Sequence, residues 1–380
     1  MDNELETRCI HLDEEVSFEK TGSISFPIYQ TATFSHVGLG KSTGYDYSRA
    51  QNPTRERVEK VVASLEYGNG AVAFTSGMAA ETALMELFKP GDHIIIENDL
   101  YGGSIRLFSE INHKNGLEFT AIDLWKDDVE DFIREETKAV YVETPTNPMM
   151  NVTDIQLLAD KLKNRNILLI VDNTFMSPYL QNPLKLGADI VVHSGTKYLG
   201  GHNDTLAGFI VAKDASLVER IRYIAMTTGA VLSPFDSWLI LRGIQTLSVR
   251  MERAEENAVK LAEWFEKQKK ITRVIYPGLR SNSGYEIMKK QARGFGAMLT
   301  LECESKEAAV RILEKTKLVR FAESLGGTES LITYPITQTH ADLTPEQQLR
   351  NGITDRILRI SVGIESINDL IKDFEQALDY

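Results

Sequence analysis

From about residue 56 the chain alternates between two hydrophobic rhythms. Short apolar runs at Ala71–Thr75, His93–Glu97, Leu117–Asp123, Ala139–Glu143, Ile167–Val171, Ala188–Val192 and Gly208–Lys213 predict strands. Between them, helical spacing predicts helices at Arg57–Leu65, from Ser76-Gly77 to about Phe88, at Asp127–Glu135 and at Ile155–Lys163. Continuous apolar strands alternating with helices predict an α/β fold whose sheet is mostly parallel and covered on both faces. Polar residues collect just past the C-terminal strand ends, at Ser76, Asp172, Ser194 and Thr196. Ligands of open α/β sheets bind at that edge.

Beyond about residue 230 the pattern changes. Trp238–Phe265 predicts one long helix, followed by strands at Ala297–Cys303 and Ile357–Val362 and a helix at Ile367–Ala377, together a smaller C-terminal α/β domain. Residues 1–55 are irregular, with a dense polar and aromatic stretch, GYDYSRAQNPTR. A long segment of that kind is usually functional or wraps a neighbour. The expected division is an arm at 1–55, a first domain at 56–235 and a second at 236–380.

Composition narrows the function classes. The 380 residues suit two or three domains, and the net charge of −12 speaks against a broad nucleic-acid face. Cys9 and Cys303 form no CxxC pair, which suits a reducing compartment. The opening stretch is acidic with no apolar core, so no secretory leader is expected, and no run approaches the ~20 apolar residues of a membrane helix. A soluble cytoplasmic protein is expected. The seven histidines show no HExxH and no pairing with cysteine, so no metal is expected; His193 and His202 are expected to be structural, and His340 to line a pocket mouth. Gly38–Thr43 reads GLGKST, but a phosphate loop would need glycine where Ser35 stands and a strand before it.

The chemistry rests on Asp172 and Lys197. Each stands at or soon after the end of a buried strand, with one helical connection between the strands. A carboxylate there can hold a pyridinium nitrogen protonated, and a lysine can form an imine with an aldehyde, the two protein groups that pyridoxal-phosphate (PLP) chemistry needs most. Ser76-Gly77-Met78 opens a helix whose N-terminus offers N–H groups to a phosphate, and the hydroxyls of Ser194 and Thr196 flank the lysine. Tyr101 follows another strand end, where its ring can stack on the pyridine, with Gly102 and Gly103 permitting close approach. Taken singly, each has a plainer reading: a turn aspartate, a surface lysine, a helix cap, a packing tyrosine. Their common position at successive strand ends argues for function.

The run Ser194-Gly195-Thr196-Lys197-Tyr198-Leu199-Gly200-Gly201-His202 resembles the lysine signature of the Cys/Met-metabolism PLP enzymes, a family of cystathionine synthases, cystathionine lyases, methionine γ-lyases and O-acylhomoserine sulfhydrylases. The resemblance spans nearly the whole chain through Tyr47-Ser48-Arg49, Asn52-Pro53-Thr54, Ser76–Ala80, Glu143–Pro148, Val171–Thr174, Glu323–Gly327 and Arg359–Gly363. It implies a PLP-dependent transferase fold of type I and a homotetramer of two catalytic dimers. It also implies that Tyr47 and Arg49 reach the phosphate bound by the partner subunit. By the same resemblance Gly77, Met78, Ser194 and Thr196 complete the phosphate cup, Tyr101 stacks on the ring and Asp172 pairs with its nitrogen. Arg359 would grip the substrate α-carboxylate, and Ser324 would position Lys197 and substrate.

Within the family, Gly103 disfavours methionine γ-lyases, which usually carry cysteine there. Val231–Trp238 and Ile332–His340 look most like bacterial cystathionine γ-synthases. The expected reaction joins an O-acylhomoserine to cysteine, many such enzymes accepting sulfide as well. The alternative is a cystathionine β- or γ-lyase, which uses the same groups.

Overall fold

A computed structural model describes residues 3–11 and 22–378. Residues 1–2 and 12–21 of the expected N-terminal arm therefore lie outside the described residues. Seven strands form the larger sheet: β1 (Gly70–Phe74), β2 (His93–Glu97), β3 (Glu118–Ile122), β4 (Thr137–Glu143), β5 (Leu168–Asp172), β6 (Ile190–Ser194) and β7 (Gly208–Ala212). Their order is β1-β7-β6-β5-β4-β2-β3, with β7 alone antiparallel to its neighbours. The strands alternate their side chains between two cores. Ala73, Val140, Val142, Val171 and Val191 face one, with α2 (Pro53–Glu66; α1 is Leu5–Ile10) and helix Ile155–Leu162. Val72, Ile96, Tyr141, Ile170 and Val192 face the other, with α3 (Gly77–Met85) and helix Ala215–Thr228. This is the doubly covered, mostly parallel sheet expected from the apolar runs.

The second sheet holds β8 (Ile271–Ile275), β9 (Met298–Cys303), β10 (Arg320–Phe321), β11 (Leu331–Thr333) and β12 (Ile357–Ser361), in the order β10-β11-β12-β9-β8. Helices Lys306–Lys315 and Ile367–Leu378 accompany it. Among these, β8, β10, β11 and helix Lys306–Lys315 were not foreseen, nor was Ala215–Thr228.

Two expected helices are corrected. Trp238–Phe265 is not one helix but two, Pro234–Ile244 and Leu247–Phe265. The break follows Gly243, whose bare Cα is pressed against the backbone of Gly200. The Gly243 carbonyl then accepts from Arg250 Nη2 at 2.7 Å and Thr246 Oγ1 at 3.1 Å, which satisfies it without a continuing helix. Asp127–Glu135 reduces to a single tight turn, Val129–Phe132, in which only Val129 is buried, too little burial to hold a longer helix.

Candidate active site

The C-terminal ends of β4, β5 and β6, the start of α3 and a loop before β11 enclose a cleft of about 240 Å³. Ser76, Gly77, Met78, Tyr101, Asp172, Ser194, Thr196, Lys197, Ser324 and Arg359 all line it. Tyr47 and Arg49 do not. Tyr47 is half-exposed, Arg49 stands 5.6 Å from its ring, and Arg49 Nη1 donates to Met226 O at 2.7 Å. A larger groove of about 580 Å³ runs along α2, but its charges pair among themselves, Arg222 with Glu59 at 2.7 Å and Lys60 with Glu56 at 3.3 Å.

At one end, Ser76 caps α3 through Oγ, which accepts from Ala79 N at 3.1 Å. A β-carbon on Gly77 would meet Ser194 Cβ at 3.0 Å, so the helix start and the end of β6 are in contact. Thr196 Oγ1 both donates to Ala207 O at 3.3 Å and accepts from Ala207 N at 3.1 Å, which anchors the turn carrying Lys197.

In the middle, Asp172 is buried at the end of β5 and accepts from Thr174 N at 2.9 Å. Burial pushes its carboxyl up, while the Thr174 hydrogen bonds and the nearby His193 oppose the rise. His193 is itself buried and pairs with Glu66 at 2.6 Å. Tyr101 is held from behind: its N–H donates to Glu143 Oε2 at 2.9 Å. A β-carbon on Gly103 would overlap the Tyr101 ring, so the missing side chain is what lets that ring lie where it does.

Lys197 Nζ donates to Ser324 Oγ at 3.3 Å. Burial first, and the Arg359 charge second, bring the amine down to about 8. Burial is the dominant cause because a cation loses its hydration there. Arg359, on β12, is among the most deeply buried side chains. Nη1 donates to Asn147 Oδ1 at 2.9 Å, and Nη2 donates to Ser324 O and Thr333 Oγ1, both at 3.2 Å. Its Nε has no hydrogen-bond partner among the described residues. Burial lowers Arg359 to about 10, with Glu143 and Glu323 opposing, so it stays charged near neutrality.

His340 is corrected from the pocket mouth to the interior. It is fully buried, with Nε2 3.1 Å from Leu100 O and 3.0 Å from Asn147 O, and Nδ1 2.8 Å from Thr339 Oγ1. Carbonyls only accept, so Nε2 carries the proton. The ring thus ties the segment before Tyr101 to the loop bearing Asn147. Glu81, Glu143 and Asn147 were not foreseen as wall residues of the cleft. For Glu81 a signal existed: an acid among the apolar positions of GMAAETALM.

Comparison with known proteins identifies the family of the chain. The family model described as "Cys/Met metabolism PLP-dependent enzyme" matches residues 6–379. The chain is 48% identical to cystathionine gamma-lyase of Bacillus subtilis over 95% of this chain and 96% of that one. It is also 48% identical to a cystathionine gamma-synthase/O-acetylhomoserine (thiol)-lyase of the same species, over 100% and 97%. The crystal structure of metB from Corynebacterium glutamicum superposes with a TM-score of 0.95 at 42% identity, covering 99% of this chain and 98% of that one. The chain therefore belongs to the Cys/Met-metabolism family of PLP-dependent enzymes, with the type I fold of that family and pyridoxal phosphate as its cofactor.

Proposed function

We propose that this enzyme catalyses γ-replacement, joining an O-acylhomoserine to cysteine to form cystathionine, with sulfide as an alternative acceptor, in methionine biosynthesis. The observation that carries the reading is a depressed amine, Lys197, sharing one cleft with a buried guanidinium, Arg359. An α-amino acid presents the two matching groups. The synthase direction is supported by the full-length similarity to the B. subtilis enzyme of that name.

The wall residues suit the cofactor. Gly77 and Met78 supply helix-start N–H groups that no helical carbonyl takes, beside the hydroxyls of Ser194 and Thr196, for a phosphate. Asp172 is an acceptor for the ring nitrogen, Tyr101 a face for the ring, and Lys197 an amine for the aldehyde.

Pyridoxal phosphate, when bound, supplies an aldehyde that links covalently to amines and a ring that withdraws electrons from the substrate Cα. Arg359 holds the substrate carboxylate and so fixes the Cα–H bond relative to Lys197. Lys197, freed when the substrate amine takes its place, removes the Cα proton and later returns it. Asp172 keeps the ring nitrogen protonated throughout. A second proton leaves Cβ, the acyloxy group departs from Cγ as a carboxylate, the thiol loses its proton as its sulfur bonds to Cγ, and a proton returns to Cβ. Ser324 keeps the Lys197 amine in line between these transfers, and Tyr101 assists them.

The proposed assembly is a cytoplasmic homotetramer in which Tyr47 and Arg49 serve the partner's phosphate. Their place outside their own cleft supports this. Within each subunit, residues 56–235 bind the cofactor and 236–380 complete the substrate site. No described helix is long and apolar enough to cross a membrane.

A second reading, cystathionine cleavage, is favoured by the equal identity to the B. subtilis gamma-lyase. Steady-state assays decide between them: O-acetyl- or O-succinylhomoserine with cysteine, against cystathionine alone. Release of 2-oxobutyrate or pyruvate from cystathionine without synthesis would replace the first reading by the second. Lys197→Ala should abolish the visible absorption of the bound cofactor; retention of that band would overturn the site.

A further inference from the structure

Three carboxylates crowd the cofactor side of the cleft: Asp172 on β5, Glu143 on β4 and Glu81 on α3. Glu143 sits opposite Asp172 in the strand register, accepts from Tyr101 N, and has the Arg359 charge nearby. Glu81 has no such compensation. It is 4% exposed, and its Oε2 is buried without a hydrogen bond of regular geometry. The groups acting on it are Asp172, the Ser104 hydroxyl and the Tyr141 hydroxyl, and none is a cation. Glu143 and Tyr101 are the remaining titratable groups that feel its charge.

Tyr141 is the link. It points into the same core as Ile170, and its hydroxyl is also buried without a regular hydrogen bond. Yet that hydroxyl reaches both acids, and its one proton can be donated to only one of them, so the other acid must be the donor. The two unsatisfied polar atoms and the Asp172 carboxylate are all satisfied when Glu81 O–H donates to Tyr141 and Tyr141 O–H donates to Asp172, with the Ser104 hydroxyl left for the other Glu81 oxygen.

We propose that Glu81 is a positioning residue for Asp172, a neutral carboxylic acid whose proton, relayed through the Tyr141 hydroxyl, keeps Asp172 ionised and in place against the ring nitrogen of the cofactor. This rests on the assignment of Asp172 to that nitrogen. Burial, with the Asp172 charge adding to it, brings Glu81 up to about 8, which agrees with a proton retained through the neutral range. One negative charge then faces one pyridinium, and no second buried anion is left uncompensated.

The test uses infrared and visible spectra of the holoenzyme at pH 7. Wild type should show the carbonyl stretch of a protonated carboxylic acid. Glu81→Gln should delete that band, and Tyr141→Phe should move it. Glu81→Leu and Tyr141→Phe should shift the cofactor's visible band in the same direction, and the double variant should add little to either. In both, kcat should fall roughly tenfold with KM nearly unchanged, the size of a lost hydrogen bond to a buried charge. Because Glu97 and Glu143 are also buried and pushed up, the band is read in the wild-type-minus-Glu81→Gln difference spectrum; no acid band there, or one that ignores Tyr141→Phe, overturns the proposal, as do additive visible shifts. If Glu81→Gln does not fold, Tyr141→Phe alone decides. Should wild type lack the visible band that Lys197→Ala removes, it is the cofactor site, and not the relay, that has failed.

Discussion

The Lys197 amine donates to the Ser324 hydroxyl across 3.3 Å, although 127 residues separate them in sequence. The hydroxyl aims the amine and favours its charged form, since an ammonium donates more strongly than an amine. Ser324→Ala should therefore lower kcat about tenfold, as expected for a lost hydrogen bond to a charged group. It should also move the ascending limb of the pH profile to lower pH. Steady-state kinetics across pH would show both effects; an unmoved limb would argue that Ser324 does not touch the amine in the working enzyme.

Lys197 acts as a base only when neutral. With the amine brought down to about 8, its neutral fraction grows as pH rises through that value. In kcat, which reports groups of the enzyme–substrate complex, activity should climb from pH 6.5 to 9 with a midpoint near 8. A flat profile over that range would show that a different group, or a step other than proton transfer, limits turnover.

Arg359 is fixed at the cleft wall by Asn147, Thr333 and the Ser324 carbonyl. A lysine cannot reproduce that fork. Arg359→Lys should raise KM by roughly a hundredfold and Asn147→Ala by roughly tenfold, in line with charged hydrogen bonds of about 1.5–3 kcal/mol. Kinetics on the same substrate would check the order; equal effects would mean Asn147 binds substrate directly.

His340 tests the fold rather than the chemistry. Burial brings it down to about 4 from its ordinary 6.5. Its contribution is therefore complete above pH 6.5 and is lost as pH falls toward 4, because the unfolded chain takes the proton that the folded one refuses. Denaturant midpoints at pH 7.5 and 5 should differ less in His340→Gln than in wild type. An unchanged difference would mean that other groups govern the acid limb.

Much of this site is legible in the sequence. Asp172, Ser194 and Lys197 announce themselves because a polar residue directly after an apolar strand is a local signal, and β-strand ends of one sheet share one edge. The break after Gly243 was not legible, since it depends on contact with Gly200, 43 positions away by number. His340 was misplaced for the same reason: its partners, Leu100 and Asn147, are 240 and 193 residues distant. Glu81 was visible only as an acid in an apolar helix, a pattern with several meanings until Tyr141 and Asp172 are seen beside it.

By itself the sequence determined the strand and helix rhythm of the first sheet and the chemical identity of the groups at its edge, because both are written in short-range order. Only the tertiary structure decided which of those groups meet. Arg359 and Asn147 are 212 residues apart, and their hydrogen bond exists because β12 and the loop after β4 converge on one cleft. The lowered affinity of Lys197 for its proton and the retained proton of Glu81 arise there too, since both follow from burial, which no local pattern of residues sets.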